Sequence, residues 1–155
     1  MKSGETLECD TIVTATGLNI RVFGGAKLSI DGKEIKMSEK FLYRGMMLDN
    51  VPNLFFYGGY TNASWTLRCE ITSEWAARYM NQMDKTNSSI CYPHLPSEHG
   101  MKPKNGFDLD SGYIKRGRHL LPNLGDKGAW GNYAFFPDLW GFTTGKAEDG
   151  VMKFE

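Results

Sequence analysis

From about Ala63 to Met83 the apolar residues recur with a period near four: Leu67, Ile71, Trp75, Tyr79 and Met83 form one stripe, with Ala76 and Met80 beside it. A stripe of that spacing fits one face of an α-helix and no strand, so it commits the chain to a long amphipathic helix and to a core for it to lie on. Arg68, Glu70, Glu74, Arg78, Asn81 and Gln82 occupy much of the remaining surface, and Glu74 stands four residues before Arg78, the order that favours an ion pair. Thr61, Asn62 and Ser64 are all candidate N-caps for its start.

Something must cover the apolar face. Residues 9–16, CDTIVTAT, form a β-branched run closed by Gly17, which reads as a buried strand ending in a tight turn. The segment AKLSIDGKEIKM sets Leu28 and Ile30 against Ile35 and Met37 across Asp31-Gly32, a two-residue turn suited to positive φ, and so predicts a hairpin. After the turn-like DNVPN comes Leu54–Tyr57, an apolar run too short for a helix and bounded by Pro52 and Gly58-Gly59, which reads as a second buried strand. The two strands are expected in one sheet, with the helix packed on it through Leu67, Ile71, Trp75 and Tyr79. Past Asp84 every proline but Pro52 appears, mixed with glycines and with Tyr113, Trp130, Tyr133, Phe135, Phe136, Trp140 and Phe142, and no periodicity survives. That stretch is too aromatic for a disordered tail and too irregular for a core of its own, so it is expected to wrap over something larger.

Charge and composition narrow the classes of partner. Eighteen basic and eighteen acidic side chains cancel, leaving no one-sided field of the kind that nucleic acid or an anionic membrane selects. The opening MKSGETLECD has no signal-peptide core, and no stretch approaches the roughly 18 apolar residues of a membrane span, so a cytoplasmic location is expected. Cys9, Cys69 and Cys91 lack C-x-x-C spacing and read as reduced, structural thiols. His94 and His99, in PHLPSEHG, have no neighbours that complete a metal site, and no metal is expected.

The unit that could carry chemistry is the apolar run Leu54–Tyr57, then Gly58-Gly59-Tyr60-Thr61-Asn62, then the long helix. Two glycines let a ligand approach the backbone closely, and a helix start offers unpaired N–H groups with a partial positive charge. Taken by itself, Gly-Gly after a strand is more often just a tight turn.

Two stretches carry a family resemblance. Asp10–Gly17, DTIVTATG, resembles the segment of class B flavoprotein monooxygenases that ends in their A-T-G signature at the junction of the FAD and NADPH domains. Further on, YRGMMLDNVPNLFFYGGYTNASWTLRCEITSEWAARYMNQMD is similar along its length to the last FAD-domain strand and helix of the Baeyer–Villiger subgroup, nearest the ethionamide-activating branch. The match runs from about Gly4 to Asp84 and continues more weakly at Ser111-Gly112-Tyr113 and from Trp130 to Tyr133. The resemblance implies an α/β fold: the C-terminal part of an FAD/NAD(P)-binding, Rossmann-like domain with a β-hairpin, one long amphipathic helix and an irregular aromatic-rich tail. It divides the chain into residues 1–84, the end of the FAD domain, and residues 85–155, an extension packing on the larger enzyme. It also implies FAD and NADPH as cofactors. The activity implied is insertion of one oxygen atom from O₂ into a ketone, or oxidation of a sulfur or nitrogen centre, through a C4a-peroxyflavin. Gly59, Thr61 and Asn62 carry over as flavin neighbours, and Ala15, Thr16 and Gly17 as domain-junction residues. A helix start aimed at the flavin edge where charge appears on reduction would favour that charge.

Other parts of the family's equipment are absent. The sequence has no G-x-G-x-x-G after a strand for either dinucleotide and no F-x-G-x-x-x-H-x-x-x-W-P, and Arg21, Arg44 and Arg68 do not match the family's catalytic arginine. No catalytic residue is assigned. Met1 falls where the family is well into its chain, so the sequence is expected to be a fragment, a truncated product or a split subunit that needs a missing N-terminal part. The small organic substrate and O₂ would meet the complete enzyme. The alternative is a non-catalytic packing or association module derived from that family. The tail AWGNYAFFPDLWGFTTG departs from the family, whose C-terminal region is charged and helical.

Overall fold

The computed structural model describes residues 2–60, 63–104, 111–131 and 135–155. It is a mixed α/β arrangement of three small antiparallel ladders and a long helix, with residues of two of the ladders in the buried cluster that covers one face of the helix. The hairpin expected at Asp31-Gly32 forms: β1 (Ser29–Ile30) pairs with β2 (Lys33–Glu34), and the turn residues take φ of 51° and 78°. A primed turn of this kind needs positive φ at both central positions, which is why glycine stands second. Leu28, Ile30, Ile35 and Met37 are half-buried against Leu42, Leu48, Val51 and Leu124.

The centre of the molecule lies in a hairpin that the sequence reading did not single out. β3 (Leu42–Tyr43) and β4 (Met47–Leu48) are antiparallel, joined through Arg44 and Gly45, which both have positive φ. Tyr43, Met46, Met47 and Leu48 are fully buried. The DNVPN turn that follows is held by its own side chains. The Phe41 amide donates to Asp49 Oδ1 at 2.5 Å, Asn50 Nδ2 donates to the Leu95 carbonyl at 2.8 Å, and the Cys91 amide donates to Asn53 Oδ1 at 2.9 Å.

The helix α1 spans Trp65–Thr86, with Ser64 as N-cap and a left-handed Asn87 closing it. Ile71, Trp75, Ala76 and Tyr79 are buried as expected, and Leu67 and Met83 are half-buried. Two positions correct the reading: Met80 is largely exposed, and Arg68, assigned to the solvent face, is buried. Arg68 lies three, four and seven residues before Ile71, Thr72 and Trp75, squarely on the inward face. Arg78 also departs from the expected pair with Glu74, donating from Nη1 to the carbonyls of Phe142 and Gly145.

Neither expected strand forms, and the single sheet that would have joined them does not exist. Cys9–Thr16 carries no regular structure and is exposed throughout, Ile12 at 79% and Val13 at 85%. A β-branched run becomes a strand only when another strand satisfies its backbone groups, and none of the three described ladders reaches it. Leu54–Tyr57 makes one ladder-like bond, from the Phe56 amide to the Met46 carbonyl at 2.8 Å, and is otherwise irregular. Pro52 supplies no donor, Asn53 turns at φ 54°, and the glycines follow after four residues.

The C-terminal stretch is more ordered than its composition suggests. It forms α2 (Gly112–Gly117) and α3 (Phe135–Thr144), and its last strand β6 (Met152–Phe154) pairs with β5 (Cys91–Pro93). Trp130, Ala147 and Met152 join the same buried cluster as Tyr43, Trp75 and Tyr79. The chain end thus helps to build the core that covers α1.

Candidate functional site

The loop between Phe56 and α1 is shaped by backbone contacts. Gly59 and Tyr60 are buried. A β-carbon at Gly59 would overlap the indole of Trp65, so the flat ring rests directly on the bare backbone of that residue. Only glycine permits such an approach. Beside it opens an apolar cavity of about 630 Å³, whose wall includes Phe23, Phe56, Tyr57, Gly59, Trp65 and Tyr113. That volume and lining suit a small ligand or part of a cofactor. The N-cap Ser64 makes no hydrogen bond to the first-turn amides of α1; its hydroxyl pairs with that of Thr66 at 2.7 Å.

Of the expected site residues, Gly59 is therefore at a close-approach point on the cavity wall. Thr61 and Asn62 lie outside the described residues. Ala15, Thr16 and Gly17 sit on the exposed arm, Gly17 at φ 80°, and do not line the cavity, whose wall begins at Ile20.

A feature the sequence reading missed lies directly behind the loop. The Tyr60 hydroxyl donates to Asp138 Oδ2 at 2.8 Å, and Arg68 Nη1 donates to the same oxygen at 2.6 Å. Arg68 Nη2 reaches the Arg44 carbonyl in the β3–β4 turn. Burial pushes the Asp138 carboxyl above its ordinary range, against the pull of Arg68 and Tyr60. Burial and the same carboxylate raise the Tyr60 phenol, so Tyr60 keeps its proton. Two signals pointed to this cluster: a cation in a core slot of an amphipathic helix, and a lone carboxylate within the apolar run AFFPDLWGF.

A second polar group adjoins the first. Arg44 Nη2 donates to Asp149 Oδ2 at 2.9 Å and its Nε to the Tyr43 hydroxyl at 3.0 Å, while Tyr43 itself donates to Asp149. The Arg44 guanidinium also lies 4.0 Å from the centre of the Trp75 ring. Burial works against ionisation of Asp149, but the Tyr43 hydroxyl, the Met152 and Val151 amides and Arg44 outweigh it and hold the carboxyl below its ordinary value. Burial pushes the Tyr79 phenol up to about 12.

The histidines and cysteines serve locally. His94 Nδ1 shares a hydrogen bond with Asn50 Oδ1 at 3.1 Å, and His99 Nδ1 accepts from the Met101 amide at 2.8 Å. Cys91 is buried in β5, Cys69 is half-buried and Cys9 exposed. Among the described residues no three His, Cys, Asp or Glu side chains converge as a metal site would need, and no helix is long and apolar enough to cross a membrane.

No family model matches the sequence, and no solved structure matches it either. Curated relatives do. MymA of Mycobacterium tuberculosis, which bears the name of an FAD-containing monooxygenase, is 41% identical over 129 residues, 83% of this chain and 26% of its own length. The FAD-containing monooxygenase EthA of Mycolicibacterium smegmatis is 40% identical over 130 residues, 84% of this chain and 26% of its own. EthA of Mycobacterium tuberculosis is 35% identical over 155 residues, 99% of this chain and 32% of its own. The chain thus spans about a quarter to a third of the length of these relatives, and over that span it is homologous to proteins named FAD-containing monooxygenases.

Proposed function

We propose that this chain is the C-terminal segment of an FAD- and NADPH-dependent monooxygenase, in which Gly59, with Thr61 and Asn62, faces the flavin. The observation that carries the reading is the bare backbone of Gly59, on which a planar ring already lies, at the wall of an apolar cavity before a helix start. These residues fit a flat, largely apolar ring with a polar edge. Bound there, FAD would supply the activation of O₂ for insertion of oxygen into a ketone or for oxidation of a sulfur or nitrogen centre. The chain's own part is to hold and orient. Gly59 lets the Trp65 indole lie flat on the cavity wall against which the flavin would rest, the α1 amides present partial positive charge to the flavin's polar edge, and Phe23, Phe56 and Tyr57 exclude water. On this reading residues 1–84 close the FAD-binding, Rossmann-like domain and residues 85–155 pack on the larger enzyme. Ala15, Thr16 and Gly17 mark the junction with the NADPH domain, and a cytoplasmic location follows.

The test is a titration of FAD into the complete enzyme by flavin fluorescence. Gly59→Ala should weaken FAD binding by about tenfold or more, since a methyl group there overlaps the Trp65 indole and forces that ring to shift on the cavity wall. Unchanged affinity would remove this loop from the cofactor site. The exposed Ile12 and Val13 favour a second reading, a packing or association module without catalysis. A reconstituted complete protein that holds no FAD would select it.

A further inference from the structure

The cluster behind the loop is one place where the C-terminal stretch meets the candidate cofactor site, Tyr113 on the cavity wall being another. Asp138 stands in the first turns of α3, is 9% exposed, and accepts from both Tyr60 and Arg68 through a single carboxylate oxygen. Tyr60 is the residue next to Gly59, and Arg68 is in the first turn of α1. The guanidinium carbon of Arg68 also lies 5.7 Å from the Tyr60 ring centre, and its other arm grips the Arg44 carbonyl. A single side chain on α3 therefore ties together the end of the loop, the start of the helix and the β3–β4 turn. Elsewhere on α3, Phe136 is 78% and Trp140 71% exposed. The described ties of α3 to the rest of the chain include Asp138, the contact of Phe142 with Trp75 and the Arg78 bonds to the Phe142 and Gly145 carbonyls.

We infer that Asp138 is a positioning residue: through Tyr60 and Arg68 it sets the Gly58–Tyr60 backbone against the cofactor-facing cavity, so that docking of α3 controls the geometry of that site. The inference rests on the reading of Gly59 as a flavin neighbour. The chemistry is that of a buried acceptor with two donors. A carboxylate gathers both at one point, and an amide in its place offers only a weaker neutral acceptor and leaves the Arg68 guanidinium buried without its counter-charge.

Tyr60→Phe removes only the bond from loop to carboxylate and keeps the ring, whereas Asp138→Asn weakens both bonds. Amide hydrogen exchange on the 155-residue chain reads the loop directly. Exchange at Gly59 and Tyr60 should quicken about tenfold in Tyr60→Phe, the fold-change expected of one hydrogen bond, and more in Asp138→Asn, while β5 and β6 stay protected. In the complete enzyme Tyr60→Phe should weaken FAD binding in the same direction as Gly59→Ala and shift the visible flavin spectrum. Unchanged loop exchange in Tyr60→Phe overturns the positioning role, whether or not Asp138→Asn folds. If Gly59→Ala weakens FAD binding and Tyr60→Phe does not, the loop faces the cofactor but Asp138 does not set it. If the loop loosens in Tyr60→Phe while Gly59→Ala leaves FAD binding intact, the cofactor reading fails and takes with it the functional part of the inference.

Discussion

Residues 9–16 and residues 41–48 are both short and strand-like in composition, yet one run is exposed from end to end while the other is buried at every position but Arg44. The second carries its own partner, because Arg44 and Gly45 fold Leu42–Tyr43 back on Met47–Leu48, and Asp49 Oδ1 then takes the Phe41 amide. The first has no complement among the described ladders, and Ile12 and Val13 stay in solvent. A strand is a property of a pair. Where the pairing is local, the chain supplies it, and where it is not, composition alone cannot place the residues.

The comparison is broken most severely at the helix. Trp75 is 2% exposed, stacks on Tyr79 with ring centres 5.3 Å apart, meets Phe142 edge-on at 5.7 Å, and lies near both Arg44 and Arg78. Trp75→Ala should cost about 3–5 kcal/mol, enough to unfold the buried region in urea titration. A loss under 1 kcal/mol would show that the cluster around Tyr43 and Tyr79 holds without the helix.

A smaller effect comes from Asp149, which ties the β3–β4 turn to the C-terminal stretch. Its carboxyl titrates below the ordinary value in the folded chain, so its contribution is present above about pH 4 and is lost as pH falls through the folded value. Asp149→Asn should therefore cost about 1.5–3 kcal/mol at pH 7, and the difference from the parent chain should shrink below about pH 4. A difference that stays constant down to pH 2 would mean that Asp149 acts through shape alone.

The smallest effect is expected on the arm. Ile12→Ser and Val13→Ser should change the stability of the isolated chain by less than about 0.5 kcal/mol, because neither side chain is buried in it. The same pair made in the complete enzyme should be markedly destabilising if the run pairs with a sheet there. Equal, negligible effects in both settings would leave the arm as surface.

Local rules carried the sequence reading where contacts are local. The period of Ile71, Trp75 and Tyr79 located α1, and Asp31-Gly32 located its hairpin, since both depend on residues a few positions apart. The Gly58-Gly59 loop was visible as a close-approach point, and the structure puts an indole on it. The two signals of the Asp138 cluster did not name each other as partners, because Tyr60 and Arg68 meet a carboxylate 78 and 70 residues away.

By itself the sequence determined the approximate extent of α1 and its buried Ile71, Trp75 and Tyr79, the one-turn hairpin at Asp31-Gly32 and, through 35–41% identity, the kinship with FAD-containing monooxygenases. Only the tertiary structure decided that Arg68 points inward, that β6 closes on β5, and that Cys9–Thr16 stays unpaired. Period and turn chemistry are written in neighbouring residues. A buried charge or a strand edge finds its partner only when distant segments are brought within hydrogen-bonding reach, and which segment arrives is settled by the whole chain's packing.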